Sequence, residues 1–562
     1  MTFIDDQDKV TPYTFQQVDK ITNQVANALK ADGMKYGDCI ALMMDNKPEF
    51  VFSWLGVAKA GGITALINTN LSSKSLLHSF VTSKATRFII GSEHLKVVDD
   101  LRQEIKNSDN PETQIVSNGK YYIEGTNAPG YLSFDSFIEK QPPHLIGGFP
   151  PERNGSHPLL YIYTSGTTGL PKASIITNLR LAMPGIAFTN TYRIQPTDIY
   201  YCSLPFYHSS ATLICLSASW YSGAKLVFRR KFSASKFWKD CIKCNCTVAQ
   251  YIGELCHYLL ERPPAQEDKA HGVRMMIGNG MRSNIWEKFK ERFNVKQIGE
   301  FYAATEGPAA IFNGMDKTGA IGYVPKILMR ILDGVPLIKY DVENDEILKD
   351  EKGFCIRCKP GEVGQFVTVI DPLKGSEFRG YTNKEATEKK ILRDVFKKGD
   401  MWYLSGDLLK MDKDGFFYFV DRIGDTFRWK GENVSTGEVE LTISDFPGIN
   451  EVNVYGVRMP NTSGRAGMAS IVVEDLSLFD FKKFYDYTNE KLPSYAVPLF
   501  LRFPKSIEVT GTLKHLKAAK REEGFNPDIV KDPMYFIDKD AKTYIPLTKE
   551  TYLSITQKKA KL

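Results

Sequence analysis

The chain has 562 residues, 43% hydrophobic and 25% charged, the balance of an ordinary globular protein too long for one small core, so two or more domains are expected. A net charge of +6 over that length gives no case for nucleic acid and only a weak one for acidic ligands or a membrane surface. Nine cysteines and no secretory signal exclude a disulfide scaffold and point to a reducing compartment.

YTFQQVDKITNQVANALKADG (13–33) reads as an amphipathic helix, with Val18, Ile21, Val25, Ala28 and Leu29 on one face and Gly33 as its stop. DCIALMMDN reads as a buried strand, and EFVFSWLGVAKAG, ITALIN, LSSKSLLHSFVTSKA and TRFIIGS follow as helix, strand, helix and strand. Strands alternating with helices imply a parallel sheet with helices on its faces. The apolar run at 50–67 imitates a membrane span. Lys59 and the Gly61-Gly62 break favour a helix over roughly 48–60 and a strand over 63–67. The polar insert 105–157 reads as a surface excursion.

LLYIY (159–163) and ASIIT (173–177) read as strands joined by TSGTTGLPK. Such a loop can turn N–H groups inward around an anion. Gly166 and Gly169 permit tight geometry, Thr164, Ser165, Thr167 and Thr168 add hydroxyl donors, and Lys172 adds a point charge. A Gly/Thr-rich hairpin without a ligand is the bland alternative. FWKDCIKCNCTVAQYIG reads as a helix running into a buried strand. Cys241/Cys244 and Cys355/Cys358 therefore read as reduced structural thiols, zinc being the sharper alternative. In GEFYAATEG (299–307), Tyr302 can stack on a base and Glu306 can hold Mg²⁺ near phosphates; Thr305 as a plain helix N-cap is the alternative.

DKDGFFYFVDR (412–422) is a hairpin with an Asp-Gly turn, after which shorter units suggest a small α+β domain joined through 421–425. Asp407 follows a strand and a glycine, where a carboxylate can take both hydroxyls of a ribose. Arg422 sits at the joint, and Lys514 lies in a Thr/Gly turn within VTGTLKHLK.

In this order the pieces resemble the adenylate-forming superfamily of acyl-CoA synthetases and luciferase-like enzymes. GDTFRWKGENVSTGEVE, LPFYHSSA, GNGMR, IGEFYAATEG and VTGTLKHLK narrow the resemblance to the fatty acid transport protein and very-long-chain acyl-CoA synthetase family, from about residue 11 onward. The resemblance implies an α/β fold: a large N-terminal domain (1–421) of helix-flanked mixed sheets and a small mobile α+β C-terminal domain (422–562). It implies two steps, in which a fatty carboxylate attacks the α-phosphate of ATP and CoA then displaces AMP. The 164–172 loop would cradle the β- and γ-phosphates, Tyr302 would pack on adenine, Thr305 would touch the α-phosphate and Glu306 the Mg²⁺. Asp407 would bind the ribose with Arg422 beside it, and Lys514 would bridge carboxylate and α-phosphate. His208 matches a position beside the acyl pocket, and Gly424 matches the pivot about which the small domain rotates.

Family members usually begin with a further segment, often membrane-spanning. If this chain is cut short, its first sheet is expected to lack a strand and a helix. The terminal Ala560-Lys561-Leu562 resembles a peroxisomal Ser-Lys-Leu address, so a peroxisomal import receptor is an expected partner and the peroxisome the expected location. The endoplasmic reticulum, a lipid droplet or another membrane surface is the alternative, and peripheral membrane contact stays open. Two other activities also stay open: a fatty acid carrier with weak synthetase activity, and a CoA ligase for a bile, aryl or branched acid.

Overall fold

The computed structural model of the chain describes residues 1–106, 108–164, 170–331, 336–342, 344–371, 377–429, 432–460, 464–507 and 517–557. The chain forms two compact units, the first made of 1–281, 285–317 and 371–391, the second of 282–284, 318–370 and 392–562. The expected division after residue 421 does not coincide with them, because 318–370 and 392–421 pack with the later chain.

The first unit is α/β as expected. One sheet takes Lys120–Glu124, Arg87–Gly91, Cys39–Met43, Ile63–Leu66 and Pro158–Thr164 in parallel, and Lys172–Thr177 closes it antiparallel to Pro158–Thr164. A second run places Gln297–Ala303, Met275–Asn279, Val248–Ile252, Ile199–Cys202, Lys225–Arg229 and Thr2–Ile4 side by side in parallel. Val10–Pro12 and Ala310–Asn313 flank that run antiparallel.

Local chemistry explains the elements. The Phe15–Ala31 helix starts at a capping box in which Thr14 and Gln17 satisfy each other's backbone N–H. The Pro48–Ala60 helix opens on a proline and stops at Gly61 in the left-handed region. These two helices touch closely at Gly56, where a side chain would collide with Val25. The apolar run at 50–67 is thus a helix followed by the strand Ile63–Leu66. Among the described residues no helix is long and apolar enough to cross a membrane.

The insert 105–157 departs from the expectation of a surface excursion. Its KYYIE segment is a sheet strand, and the Tyr121 ring stacks on Phe88 with centroids 4.5 Å apart. Further on, the carbonyls of Gln141, Pro142, Pro143 and His144 accept from the side-chain amides of Gln24, Asn27 and Asn23 on the first helix. The apolar run of the strand is only three residues long, and the side chains that hold the 141–144 carbonyls lie more than a hundred residues upstream, so composition alone made the insert look like loop.

The second unit holds an antiparallel meander, in spatial order Leu337–Ile338, Val363–Val369, Met401–Met411, Phe416–Arg422 and Gly322–Tyr323. It also holds a five-stranded mixed sheet of Ile449–Arg458, Arg465–Val473, Phe500–Arg502, Met534–Asp538 and Thr543–Pro546. The buried cluster under that second sheet runs, among the described residues, from Phe427 to Ile555. A separate buried cluster, with Ile338, Val367, Val395 and Trp402, serves the meander.

Candidate active site

The lysine-ended loop is a hairpin connection as expected. Thr164 and Lys172 face each other across the antiparallel pair that it joins. Ser165, Gly166, Thr167, Thr168 and Gly169 lie outside the described residues. Beyond the second strand, Thr177 caps the Asn178–Tyr192 helix by accepting from the Arg180 N–H, and Arg180 Nη2 then donates to the carbonyls of Ala304 (3.1 Å) and Thr305 (3.4 Å).

That contact carries the chain from the hairpin to the second sequence cluster. Tyr302 sits half-buried near the end of the Gln297–Ala303 strand. No helix follows Thr305, so it caps none; its hydroxyl lies 2.9 Å from that of Ser209. Ser209 follows His208, whose ring packs 4.5 Å from Tyr207 and whose carbonyl accepts from Thr212 N as the next helix starts. The buried stretch Ser210–Leu216 just after it is a π-helix, a rare form found often at functional sites.

Glu306 is joined to the hairpin by a residue the sequence did not single out. Tyr381 donates from its hydroxyl to Glu306 Oε1 at 2.7 Å, and Thr164 hydrogen-bonds with the same tyrosine. Lys172 Nζ lies 5.8 Å from the centroid of its ring. Burial, then the Glu306 charge and the hydrogen bond to it, push the Tyr381 phenol well above its ordinary range, which keeps it protonated and a donor. Tyr381 stands alone in polar text, 75 residues after Glu306, so no spacing marks it.

Glu300 was also missed, although a glutamate inside an otherwise apolar strand is a signal. It is buried and accepts from the Tyr251 hydroxyl, the Gly280 N–H and the Met281 N–H, the last at 3.4 Å. It thereby ties the Gln297–Ala303 strand to the GNGMR turn. Burial pushes its carboxyl from 4.5 up to about 8. Folded, Glu300 stays neutral below that pH, whereas unfolded it ionises near 4.5. Its contribution to stability is therefore full below about pH 4.5 and is lost as pH rises to 8, a change on the order of 5 kcal/mol. Glu300→Gln is expected to flatten the fall in melting temperature between pH 5 and 8.5. An unchanged fall in the variant would sink this assignment.

In the second unit, Asp407 and Arg422 face each other across the Met401–Met411 and Phe416–Arg422 pair, with Arg422 Nε 3.7 Å from Asp407 Oδ1. That is a loose ion pair at a half-exposed arginine. Ser405 fixes the turn there, its hydroxyl accepting from the Asp407 N–H at 3.0 Å. Gly424, in the turn after that strand, has φ of +92°, open to glycine and strained for other residues. Asp421 anchors the start of this turn, accepting from Thr426 Oγ1 at 2.9 Å and from Thr436 N at 2.8 Å. Lys514 lies outside the described residues, as do Ala560, Lys561 and Leu562.

The cysteines are free thiols. Cys241, Cys244 and Cys246 are buried, and burial pushes Cys244 up to about 11. Among the described residues, one group has the spacing of metal ligands: Asp45, Glu93 and His94. Its charges are answered within the protein. Lys47 Nζ reaches Glu93 Oε2 at 2.8 Å, and His94 Nε2 lies 3.0 Å from Asp45 Oδ1.

The chain is similar to known proteins. The profile of the family described as AMP-binding enzyme matches residues 2–341. Long-chain fatty acid transport protein 2 of Rattus norvegicus is 43% identical over 558 residues, 98% of this chain and 87% of its own length. Long-chain fatty acid transport protein 1 of Homo sapiens is 42% identical over 546 residues, 97% of this chain and 83% of its own. Among solved structures, the anthranilate CoA ligase AuaEII in complex with anthranoyl-AMP superposes with a TM-score of 0.75 at 21% identity, covering 92% of this chain and 93% of that one.

Proposed function

We infer the reaction from one premise: the chain belongs to the AMP-binding enzyme family and, within it, to the long-chain fatty acid transport proteins, the very-long-chain acyl-CoA synthetase family. It is an AMP-forming long-chain fatty acid–CoA ligase. The observation that carries this reading is the meeting, in one unit, of the lysine-ended hairpin and the Thr305–Glu306 turn through Tyr381.

In the first step a carboxylate oxygen of the fatty acid attacks the α-phosphorus of ATP, and the bond to the β-phosphate oxygen breaks, releasing pyrophosphate. In the second the CoA sulfur attacks the acyl carbon and AMP leaves. Phosphoryl chemistry of this kind needs positioning and neutralised charge more than covalent help from the protein. We assign residues 164–172, from Thr164 through Ser165, Gly166, Thr167, Thr168 and Gly169 to Lys172, to the β- and γ-phosphates. Tyr302 packs on adenine, Thr305 meets the α-phosphate, and Asp407, with Arg422 beside it, takes the ribose hydroxyls. His208 borders the acyl chain, and Lys514 bridges the carboxylate and the α-phosphate. Glu306 is a hard oxygen donor beside a hairpin suited to phosphate, a donor set that fits Mg²⁺; the ion would neutralise triphosphate charge.

The moving part in this reading is 422–562, turning at Gly424. Support comes from the buried cluster that starts only at Phe427 and from the positive φ at Gly424. Delivery to the peroxisome through an import receptor that reads Ala560-Lys561-Leu562 suits a fatty-acid-activating enzyme. Peripheral contact with a membrane face suits a substrate that partitions into lipid.

The test measures AMP and acyl-CoA together with saturated acids from about C8 to C26, a span chosen to pass the roughly 30 Å hydrocarbon scale of lipids. Both products should appear in equal amounts with long-chain acids. Fatty acid binding without AMP release would make the chain a carrier. Turnover confined to bile, aryl or branched acids would make it a ligase of another class.

A further inference from the structure

Tyr381 lies outside the motifs read from the sequence above, yet the fold fixes it at both ends. Its backbone forms a bridge to Ser174, Ile175 N donates to Gly380 O at 3.0 Å, and Thr382 N donates to Ala173 O at 2.9 Å. Residues 380–382 thus lie along the strand that leaves the phosphate hairpin. Thr387 locks the same turn, its hydroxyl accepting from Tyr381 N at 2.9 Å and donating back to Tyr381 O at 3.2 Å. The ring is 7% exposed. A phenol has one proton to give, and it goes to Glu306 Oε1 at 2.7 Å, with the Thr164 side chain close to the same oxygen.

A carboxylate on a turn swings about its side-chain torsions unless something holds one oxygen. Here a buried, rigid ring does so, and its backbone is part of the hairpin stem. We propose that Tyr381 is a positioning residue: it aims the Glu306 carboxylate at the divalent cation that accompanies ATP and keeps that carboxylate in register with the Thr164–Lys172 hairpin. This rests on the reading of Glu306 as a cation ligand. Partners that orient a metal-binding carboxylate typically change metal affinity or activity by about 10–100-fold when removed.

The experiment uses the full chain with ATP and Mn²⁺, read by the paramagnetic resonance signal of free Mn²⁺. It needs no fatty acid, so it stands apart from the acid panel. In Tyr381→Phe, Mn²⁺ affinity in the ATP complex is expected to fall about 10-fold or more, while metal-free ATP binds as in wild type. Glu306→Gln should also weaken Mn²⁺. The Tyr381→Phe, Glu306→Gln double variant should be no weaker than Glu306→Gln alone, because a residue acting through Glu306 has nothing left to act on. A purely structural tyrosine would lower metal-free ATP binding and add its loss to the Glu306→Gln background, and either result overturns the proposal. So does unchanged Mn²⁺ affinity in Tyr381→Phe, or no Mn²⁺ binding with ATP in wild type. If Mn²⁺ behaves as expected and the acid panel fails, the substrate assignment falls and the positioning role stands.

Discussion

Replacing Lys514 with alanine is expected to cut fatty acyl-adenylate formation by about 10²–10³-fold, the usual loss when one preorganised donor to developing charge is removed. The physical demand is severe in this step. A carboxylate must approach a phosphate, both are negative, and the charge at the α-phosphorus rises further as the new bond forms. A lysine between them offsets the repulsion where it is greatest. Neighbouring lysines offer little substitute. Lys517, three residues on, is already held by Thr436 Oγ1 at 2.8 Å and Glu440 Oε1 at 2.9 Å. Exchange of pyrophosphate into ATP reads the step directly. Thioester formation from acyl-adenylate supplied ready-made should fall far less in the same variant. Equal losses in both would remove Lys514 from adenylation and place it in general structure.

The second large effect is expected at Gly424. Proline there demands φ near −65°, whereas the chain holds +92°. Strain of this kind costs about 1–3 kcal/mol, or roughly 10–10²-fold in whichever rate depends on the disfavoured backbone state. A pivot must visit two states, one for each half-reaction. Gly424→Pro should therefore separate the two rates, sparing one half-reaction and depressing the other by about 10²-fold. Adenylation is read by pyrophosphate exchange and thioester formation by CoA consumption with supplied acyl-adenylate. Both rates falling together would mark local unfolding of the turn, and neither changing would move the pivot elsewhere.

The features legible in the sequence were those a local pattern can carry. The helix at 15–31, the helix-then-strand at 48–66 and the Asp-Gly hairpin each announce themselves through periodicity, a cap or a turn residue within a dozen positions. The two strands joined between Thr164 and Lys172 were legible for the same reason, since they sit in one short stretch of sequence. KYYIE was not, because its apolar run is short and its place in the sheet is set by Arg87–Gly91, some thirty residues upstream. Tyr381 and Glu300 were hidden differently. Each owes its role to partners brought in by the fold, Glu306 and Thr164 for the first, Tyr251 and Gly280 for the second. The division of the chain is a mixed case. The texture change near 412–425 was visible, but the meander strands before it share a compact unit with the residues after it.

The buried cluster that begins at Phe427 and closes on itself by Ile555 has an evolutionary consequence. A segment whose interior is filled from within can change its own packing piecemeal, but a wholesale exchange must keep the partners of Asp421 that Thr426 and Thr436 supply.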